Sequence, residues 1–181
     1  MSTSLIALYL SGYPAALQAQ IGQLMAQGQL PAYLAQRYPQ EAHSIQSDKA
    51  LYTLCDDYKQ RYLKNAPALD KVLFDNRLTL EKQTLGLNTA ISRVQGGKLK
   101  AKKEIRISAW FKQAPEAFLR MIVVHELAHL KVRDHDKAFY QLCLHMESDY
   151  MQWEFDCRVS LLALAAAQRT AATLGHAAAS A

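Results

Sequence analysis

The residues with the clearest chemical potential are two histidines and a glutamate at positions 125–129, in the pattern H-E-x-x-H. Side chains four positions apart share one face of a helix, so His125 and His129 can hold one metal ion between them. Glu126 is poorly placed to be a third ligand, but it can reach a water at the same site. Two ligands with an adjacent general base form the arrangement of metalloproteases. The pattern therefore predicts a hydrolytic metal site.

The alternative interpretation is a pair of surface histidines on an ordinary helix. It fits poorly, because the flanking residues are apolar on almost every face of the helix: Ile122, Val123, Val124, Leu127, Ala128 and Leu130. Such a helix is expected to be buried. Burying two imidazoles and a carboxyl group without partners is costly, which favours the metal site.

A catalytic zinc takes three protein ligands and leaves one position open. His135 is the preferred third ligand, because it follows His129 by six residues across a stretch where the helical pattern weakens. Two rivals are Glu147 and Glu154, since a glutamate from a later helix can complete such a site. A surface or capping role for His135 is the other alternative.

The surrounding sequence predicts an α+β fold in which a small, mostly antiparallel sheet precedes the motif helix. Its predicted strands are Lys71–Phe74, Leu78–Leu80, Thr89–Val94 and Glu104–Ser108, with a turn at Gly96-Gly97. Helices are expected to begin at Pro14, Pro31, Ser47 or Asp48, Pro115, Lys137 and Met151. These elements predict a helical N-terminal extension (1–66), one domain with C-terminal helices (67–174) and a frayed alanine-rich tail (175–181).

The segment His125-Glu-Leu-Ala-His129, followed by His135 and then Phe139-Tyr140, resembles the YgjP-like metallopeptidase domain family of the zincin clan, which is related to the WLM and SprT-like peptidases. The resemblance covers about residues 93–155. It implies a zincin-like fold, zinc as the metal, the three histidines as ligands and Glu126 as the base that activates a zinc-bound water. The implied function is hydrolysis of peptide bonds in a peptide or protein substrate.

Two details of the resemblance concern the substrate side. Many family members carry an Arg-Trp-Gly-Ser-like segment where this chain has Arg93-Val-Gln-Gly96, which puts the corresponding substrate contact in doubt. A second group that stabilises the oxyanion is often Tyr, His or Arg. Tyr140, His145 and Arg93 are the candidates here.

The net charge and the cysteine content indicate which partners and which cellular compartment are expected for the protein. The net charge is +5, and six basic residues against one acid fall within 93–106. A solvated strand–turn–strand is the preferred interpretation, because no aromatic residues interleave the lysines; a contact for nucleic acid or another anion is the alternative. Three widely spaced cysteines, the lack of a signal-peptide pattern and the lack of a membrane-length apolar run predict reduced thiols in a cytoplasmic protein with no membrane contact.

Two other functions stay open at this stage. One is a non-proteolytic zinc hydrolase acting on a small amide. The other is a nucleic-acid-associated, SprT-like protease or binding module that uses the 93–106 segment, for which a steep loss of affinity with salt would be diagnostic. The physiological substrate and the oligomeric state do not follow from the sequence.

Overall fold

The computed structural model describes residues 2–39, 43–78 and 103–179, except for the side chains of 2–4 and 174–179. In chain order the elements are α1 (Ser2–Leu10), α2 (Ala15–Ala26), α3 (Leu30–Arg37), α4 (Asp48–Tyr62), β1 (Lys71–Asp75), β2 (Glu104–Ser108), a short 3₁₀ helix (Ala109–Lys112), α5 (Glu116–Ala128), α6 (Lys137–Met146) and α7 (Tyr150–Ala179). They form two compact units, one from residues 1–39 with 155–181 and the other from residues 40–154.

The first unit joins α1, α2 and α3 to most of α7. Asp156 on α7 is fully buried and accepts hydrogen bonds from the hydroxyls of Tyr33 and Tyr38, at 3.1 and 2.7 Å. The guanidinium of Arg37 lies 3.2 Å from the same carboxylate. A buried carboxylate is tolerated only when it is paired and hydrogen-bonded, so this cluster fixes α3 against α7.

The second unit contains the candidate site. α4 packs on β1, and α5 packs on β2, α4 and α6. Along β2 the buried side chains of Ile105 and Ile107 alternate with half-buried Glu104 and Arg106, as the sequence predicts for a strand with one face in the core. The β1 and β2 assignments are confirmed, and the other predicted strands and the Gly96-Gly97 turn fall on residues 79–102, outside the described residues.

The pairing of the two strands corrects one expectation. β1 and β2 run parallel, in the register Lys71↔Glu104 to Asp75↔Ser108, so the expected mostly antiparallel sheet is wrong for the described pair. The expectation rested on a hairpin joining 89–94 to 104–108. The strand that β2 meets lies instead about thirty positions earlier in the chain, a separation that leaves room for the crossover that parallel strands require.

The helix starts were better predicted than the helix ends. α2 follows Pro14, Pro31 is the second residue of α3, and the Ser47 hydroxyl caps α4 by accepting from an amide of its first turn. α7 continues to Ala179, past Gly175, where the sequence analysis ended it. The division at residue 66 stays a prediction about domains, although α4, which precedes it, packs within the second unit. No helix among the described residues is long and apolar enough to cross a membrane.

Candidate metal centre

Helix α5 forms the floor of the candidate site. It follows Pro115, places Glu116 in its first turn, where an acid favours the helix dipole, and buries every residue from 121 to 128. The backbone amide of His129 still bonds to the carbonyl of His125, and the chain then leaves the helix. This burial is what the apolar sequence around the motif predicts.

A tight bend returns the chain to the end of α5. The amides of Lys131 and Val132 both bond to the carbonyl of Ala128, which closes the last turn. Four residues later Asp136 caps α6 by accepting a hydrogen bond from the amide of Phe139. His135 therefore lies between two anchored helix ends.

The three histidines point their Nε2 atoms towards one another. Nε2 of His125 lies 3.3 Å from Nε2 of His129 and 3.1 Å from Nε2 of His135. The candidate ligand atoms of the three all lie within 4.8 Å of one another. The structure thus brings together all three residues that the sequence singled out as ligands, one buried, one half-buried and one exposed.

The outer sides of two rings are already engaged. Nδ1 of His125 lies 2.8 Å from the hydroxyl of Tyr150, and Nδ1 of His129 lies 3.1 Å from the carbonyl of Val132. A carbonyl can only accept, so Nδ1 of His129 carries the proton and its Nε2 is left with a lone pair. Burial lowers the pKa of His129, which favours the neutral, ligating form.

The side chain of Phe139 holds the three rings in place. Its ring centroid lies 5.0 Å from that of His125, 4.7 Å from that of His129 and 4.6 Å from that of His135. Phe139 is fully buried on α6. The apolar ring restricts the rotation of the imidazoles without offering a competing ligand.

These distances fit a metal ion. Two neutral imidazoles cannot hydrogen-bond through their lone pairs, so close Nε2 atoms require a cation or a proton between them. Tetrahedral geometry with metal–nitrogen bonds of about 2.0–2.1 Å puts two ligand nitrogens about 3.3 Å apart. The observed separations of 3.1 and 3.3 Å are those of such ligands.

Glu126 lies beside the cluster with its carboxyl group buried. Its Oε1 atom has no hydrogen-bond partner within the described residues, and burial raises the pKa of Glu126 to about 8. The buried thiol of Cys55 on α4 lies close enough for the charge of Glu126 to raise its pKa, after the larger effect of burial. A buried carboxyl oxygen with no partner is what a general base awaiting water requires.

A small cavity opens between Glu126 and His129 and is closed by the start of β2. Its volume is about 20 Å³, and Lys103, Glu104 and Ile105 form its other wall. A cavity of about 10–15 Å³ is enough to hold one water. The arrangement can therefore place a water between the histidine cluster and the glutamate.

Lys103 lines this cavity next to Glu104. Its backbone is held by Asp70, whose carboxylate accepts from the Lys103 amide at 2.8 Å and whose own amide donates to the Lys103 carbonyl at 2.9 Å. Arg106, three residues on, is occupied by ion pairs with Asp75 and Glu104. Sequence reasoning placed Lys103 only within a basic segment, and no sequence signal placed it at the histidines.

The remaining candidates for a third ligand or for an oxyanion-stabilising group have other contacts where the structure describes them. Glu147 pairs with Arg120 and accepts a hydrogen bond from Tyr58, and Glu154 is buried outside the cluster. His145 packs its ring against Tyr62. Tyr140 packs against Phe139 and Tyr150, and Arg93 lies outside the described residues.

Three histidines around one point, with a buried carboxyl group beside them, are the equipment of a metal-dependent hydrolase. The chain belongs to the YgjP-like metallopeptidase domain family, whose sequence profile matches residues 6–155. This match begins in α1, so the N-terminal helices are part of the family's domain, which corrects the expectation that the resemblance starts near residue 93.

One curated relative is very similar. UTP pyrophosphatase of Escherichia coli (strain K12) is 54% identical over 160 residues, which is 88% of this chain and 95% of that protein. No solved structure matches the chain. The zincin-like character of the fold thus rests on the family.

Proposed function

We propose that this protein is a zinc-dependent pyrophosphatase that hydrolyses UTP to UMP and pyrophosphate. The observation that carries the chemistry is the convergence of the Nε2 atoms of His125, His129 and His135 beside the buried, unpartnered Oε1 of Glu126. Three imidazoles suit zinc, whereas magnesium prefers oxygen ligands. The donor set and the base together support hydrolysis by water.

The choice of UTP is supported by the relative. The relative is named a UTP pyrophosphatase, and it matches this chain over nearly its whole length. Such identity over a compact fold keeps the same core and the same helices around the site. The proposal therefore carries that activity over to this chain.

The charge around the site is consistent with such a substrate. UTP carries about four negative charges near neutral pH, and its phosphates must be met by cations or amides. Lys103 lines the cavity beside Glu126 and His129. Lys98, Lys100 and Lys102 lie within five residues of it in the sequence. The 93–106 segment, which the sequence analysis interpreted first as a solvated strand edge, is proposed to contact the phosphate chain.

The roles of the chain's own groups follow from the geometry. A zinc ion held by His125, His129 and His135 would supply Lewis-acid chemistry at this site. Glu126 accepts the proton of the water that attacks the α-phosphorus. The bond from that phosphorus to the bridging oxygen breaks, and pyrophosphate leaves with the bonding electrons. Lys103 stabilises the charge that accumulates on the leaving group.

Peptide-bond hydrolysis is the second candidate, and the family's description as metallopeptidases favours it. The same base and the same histidines would serve, because a carbonyl attacked by water also develops an oxyanion. The two reactions differ in the charge of the substrate. A peptide bond carries no net charge and gives Lys103 no comparable partner. The small-amide and nucleic-acid alternatives lack a supporting observation among the described residues.

A side-by-side assay tests the proposal. The purified protein is analysed for bound metal and then incubated with UTP, the other nucleoside triphosphates, a peptide library and an unfolded protein. UMP and pyrophosphate in equal amounts, lost in Glu126→Gln and after chelation, are the expected result. Release of UDP and phosphate, or cleavage of peptides with no turnover of UTP, would overturn the assignment.

A further inference from the structure

A tyrosine outside the motif contacts the first histidine. The hydroxyl of Tyr150 lies 2.8 Å from Nδ1 of His125, and both side chains are buried. The two rings lie nearly parallel, with centroids 6.5 Å apart. We propose that Tyr150 is a positioning residue that holds the His125 ring in the tautomer and orientation that present Nε2 to the metal. This inference rests on the metal site of the proposed function.

The direction of the hydrogen bond follows from the other side of the His125 ring. Nε2 of His125 faces Nε2 of His129 at 3.3 Å and Nε2 of His135 at 3.1 Å, so this nitrogen is the one that would bind the metal with its lone pair. A neutral imidazole holds a single proton, which then lies on Nδ1 and is donated to the phenol oxygen of Tyr150.

The position of Tyr150 is itself fixed by a charged network. Tyr150 is the first residue of α7, and its amide bonds to the carbonyl of Glu147 at 3.1 Å. The Glu147 carboxylate accepts from Arg120 at 2.6 Å and from the hydroxyl of Tyr58. Arg120 also donates to the Tyr58 hydroxyl at 2.9 Å. The network ties the turn before Tyr150 to both α4 and α5, and α5 is the helix that carries His125.

Loss of the phenol oxygen has a defined physical consequence. In Tyr150→Phe the ring still fills its buried position, but Nδ1 of His125 loses its hydrogen bond to the phenol oxygen. Without that bond the observed tautomer and ring orientation are less strongly favoured over the other tautomer or a rotated ring. Both changes withdraw the Nε2 lone pair from the metal. Loss of a group that orients a ligand typically weakens metal binding about 10–100-fold.

Metal affinity is the direct test. Zinc binding by the full chain is measured in competition with a chromophoric chelator for the parent, Tyr150→Phe and Tyr62→Phe. Tyr62 is a matched control, because it lies in the same unit and contacts His145 rather than the three motif histidines. We expect affinity about 10–100-fold lower in Tyr150→Phe and unchanged in Tyr62→Phe. Equal affinities in all three proteins would overturn the positioning role.

Two further measurements separate positioning from general destabilisation. Cobalt(II) is loaded in place of zinc, and its visible absorption should change in Tyr150→Phe, because ligand orientation sets the spectrum while thermal stability does not. In the unmodified protein, ring nitrogen NMR with zinc bound should show a proton on Nδ1 of His125 that exchanges slowly. An unprotonated Nδ1 there would refute the inference even if the variant failed to fold.

These tests are independent of the substrate. If the parent binds zinc but does not hydrolyse UTP, the proposed substrate is wrong. The positioning role of Tyr150 is then still decided by the ratio of the zinc affinities of the parent and Tyr150→Phe. If the parent binds no metal, both the metal site and this inference fail together.

Discussion

The burial of Glu126 predicts how the stability of the protein should change with pH when metal has been stripped by a chelator. The residue is only 5% exposed, and its Oε1 has no partner among the described residues. Ionising it inside the protein is therefore costly. Glu126→Gln keeps the shape of the side chain and removes the charge, so comparing it with the parent isolates this cost.

The sign of the effect follows from linkage. Burial raises the pKa of Glu126 from 4.5 in the unfolded chain to about 8 in the folded one. Between these values the folded state holds the extra proton, so the free energy of unfolding falls as pH rises. The stabilising contribution is complete below about pH 4.5 and is lost once the pH has passed about 8. At about 1.4 kcal/mol for each pH unit, the full difference is about 3–5 kcal/mol.

Urea unfolding of the parent and of Glu126→Gln, both with excess chelator, measures this quantity at pH 5 and at pH 9. All other side chains are the same in both proteins, so their contribution largely cancels in the difference. From pH 5 to pH 9 the free energy of unfolding of the variant should rise by about 3–5 kcal/mol relative to that of the parent. A difference that does not change with pH would show that the Glu126 carboxylate is solvated or paired in the folded protein, and the argument from burial would be refuted. Added zinc should shrink the effect, because a nearby cation stabilises the carboxylate.

Four further outcomes are expected. Glu126→Gln should lower kcat for UTP by about 10²–10⁴-fold while retaining bound zinc, as measured by turnover and elemental analysis. Chelation should abolish turnover and added zinc should restore it, because the proposed hydrolysis depends on the metal ion that the histidines bind. Lys103→Gln should raise KM for UTP about tenfold and flatten its salt dependence, whereas Lys49→Gln, on the exposed side of α4, should change neither. Tyr38→Phe should cost about 1.5–3 kcal/mol in urea unfolding, because it removes the 2.7 Å hydrogen bond to the buried carboxylate of Asp156; an unchanged midpoint would mean that this bond adds nothing net.

The ligand set was accessible from sequence because it depends on local geometry. The spacing of His125 and His129 places them on one helix face whatever the rest of the fold does. Placing His135 beside these two residues required a bend in the chain after His129. In the structure this bend ends where Asp136 caps α6. All of these residues lie within a dozen consecutive positions, so the local geometry of the chain is enough to bring them close together in space.

The contacts that sequence analysis missed are all long-range. Tyr150 reaches His125 from 25 positions away, and Lys103, which lines the cavity with Glu126, lies just before β2 and more than twenty positions from Glu126 in the sequence. The parallel pairing of β1 and β2 was missed for the same reason. Alternation along a strand shows which of its faces is buried. It does not show which other strand pairs with it, or whether that strand runs parallel or antiparallel.

The histidines and Glu126 do not by themselves select the bond that is cleaved. Water activated by a base attacks a carbonyl carbon or a phosphorus with the same proton transfer, and both reactions build negative charge on an oxygen. Selection must come from groups that meet the rest of the substrate. In the described part of the site that group is Lys103, whose backbone is fixed by two hydrogen bonds to Asp70. Those bonds fix the Lys103 backbone at the cavity, and a lysine ammonium reaching the base from there would favour a polyanion over a neutral peptide. This is the physical ground for proposing a nucleotide substrate at a motif named for proteases.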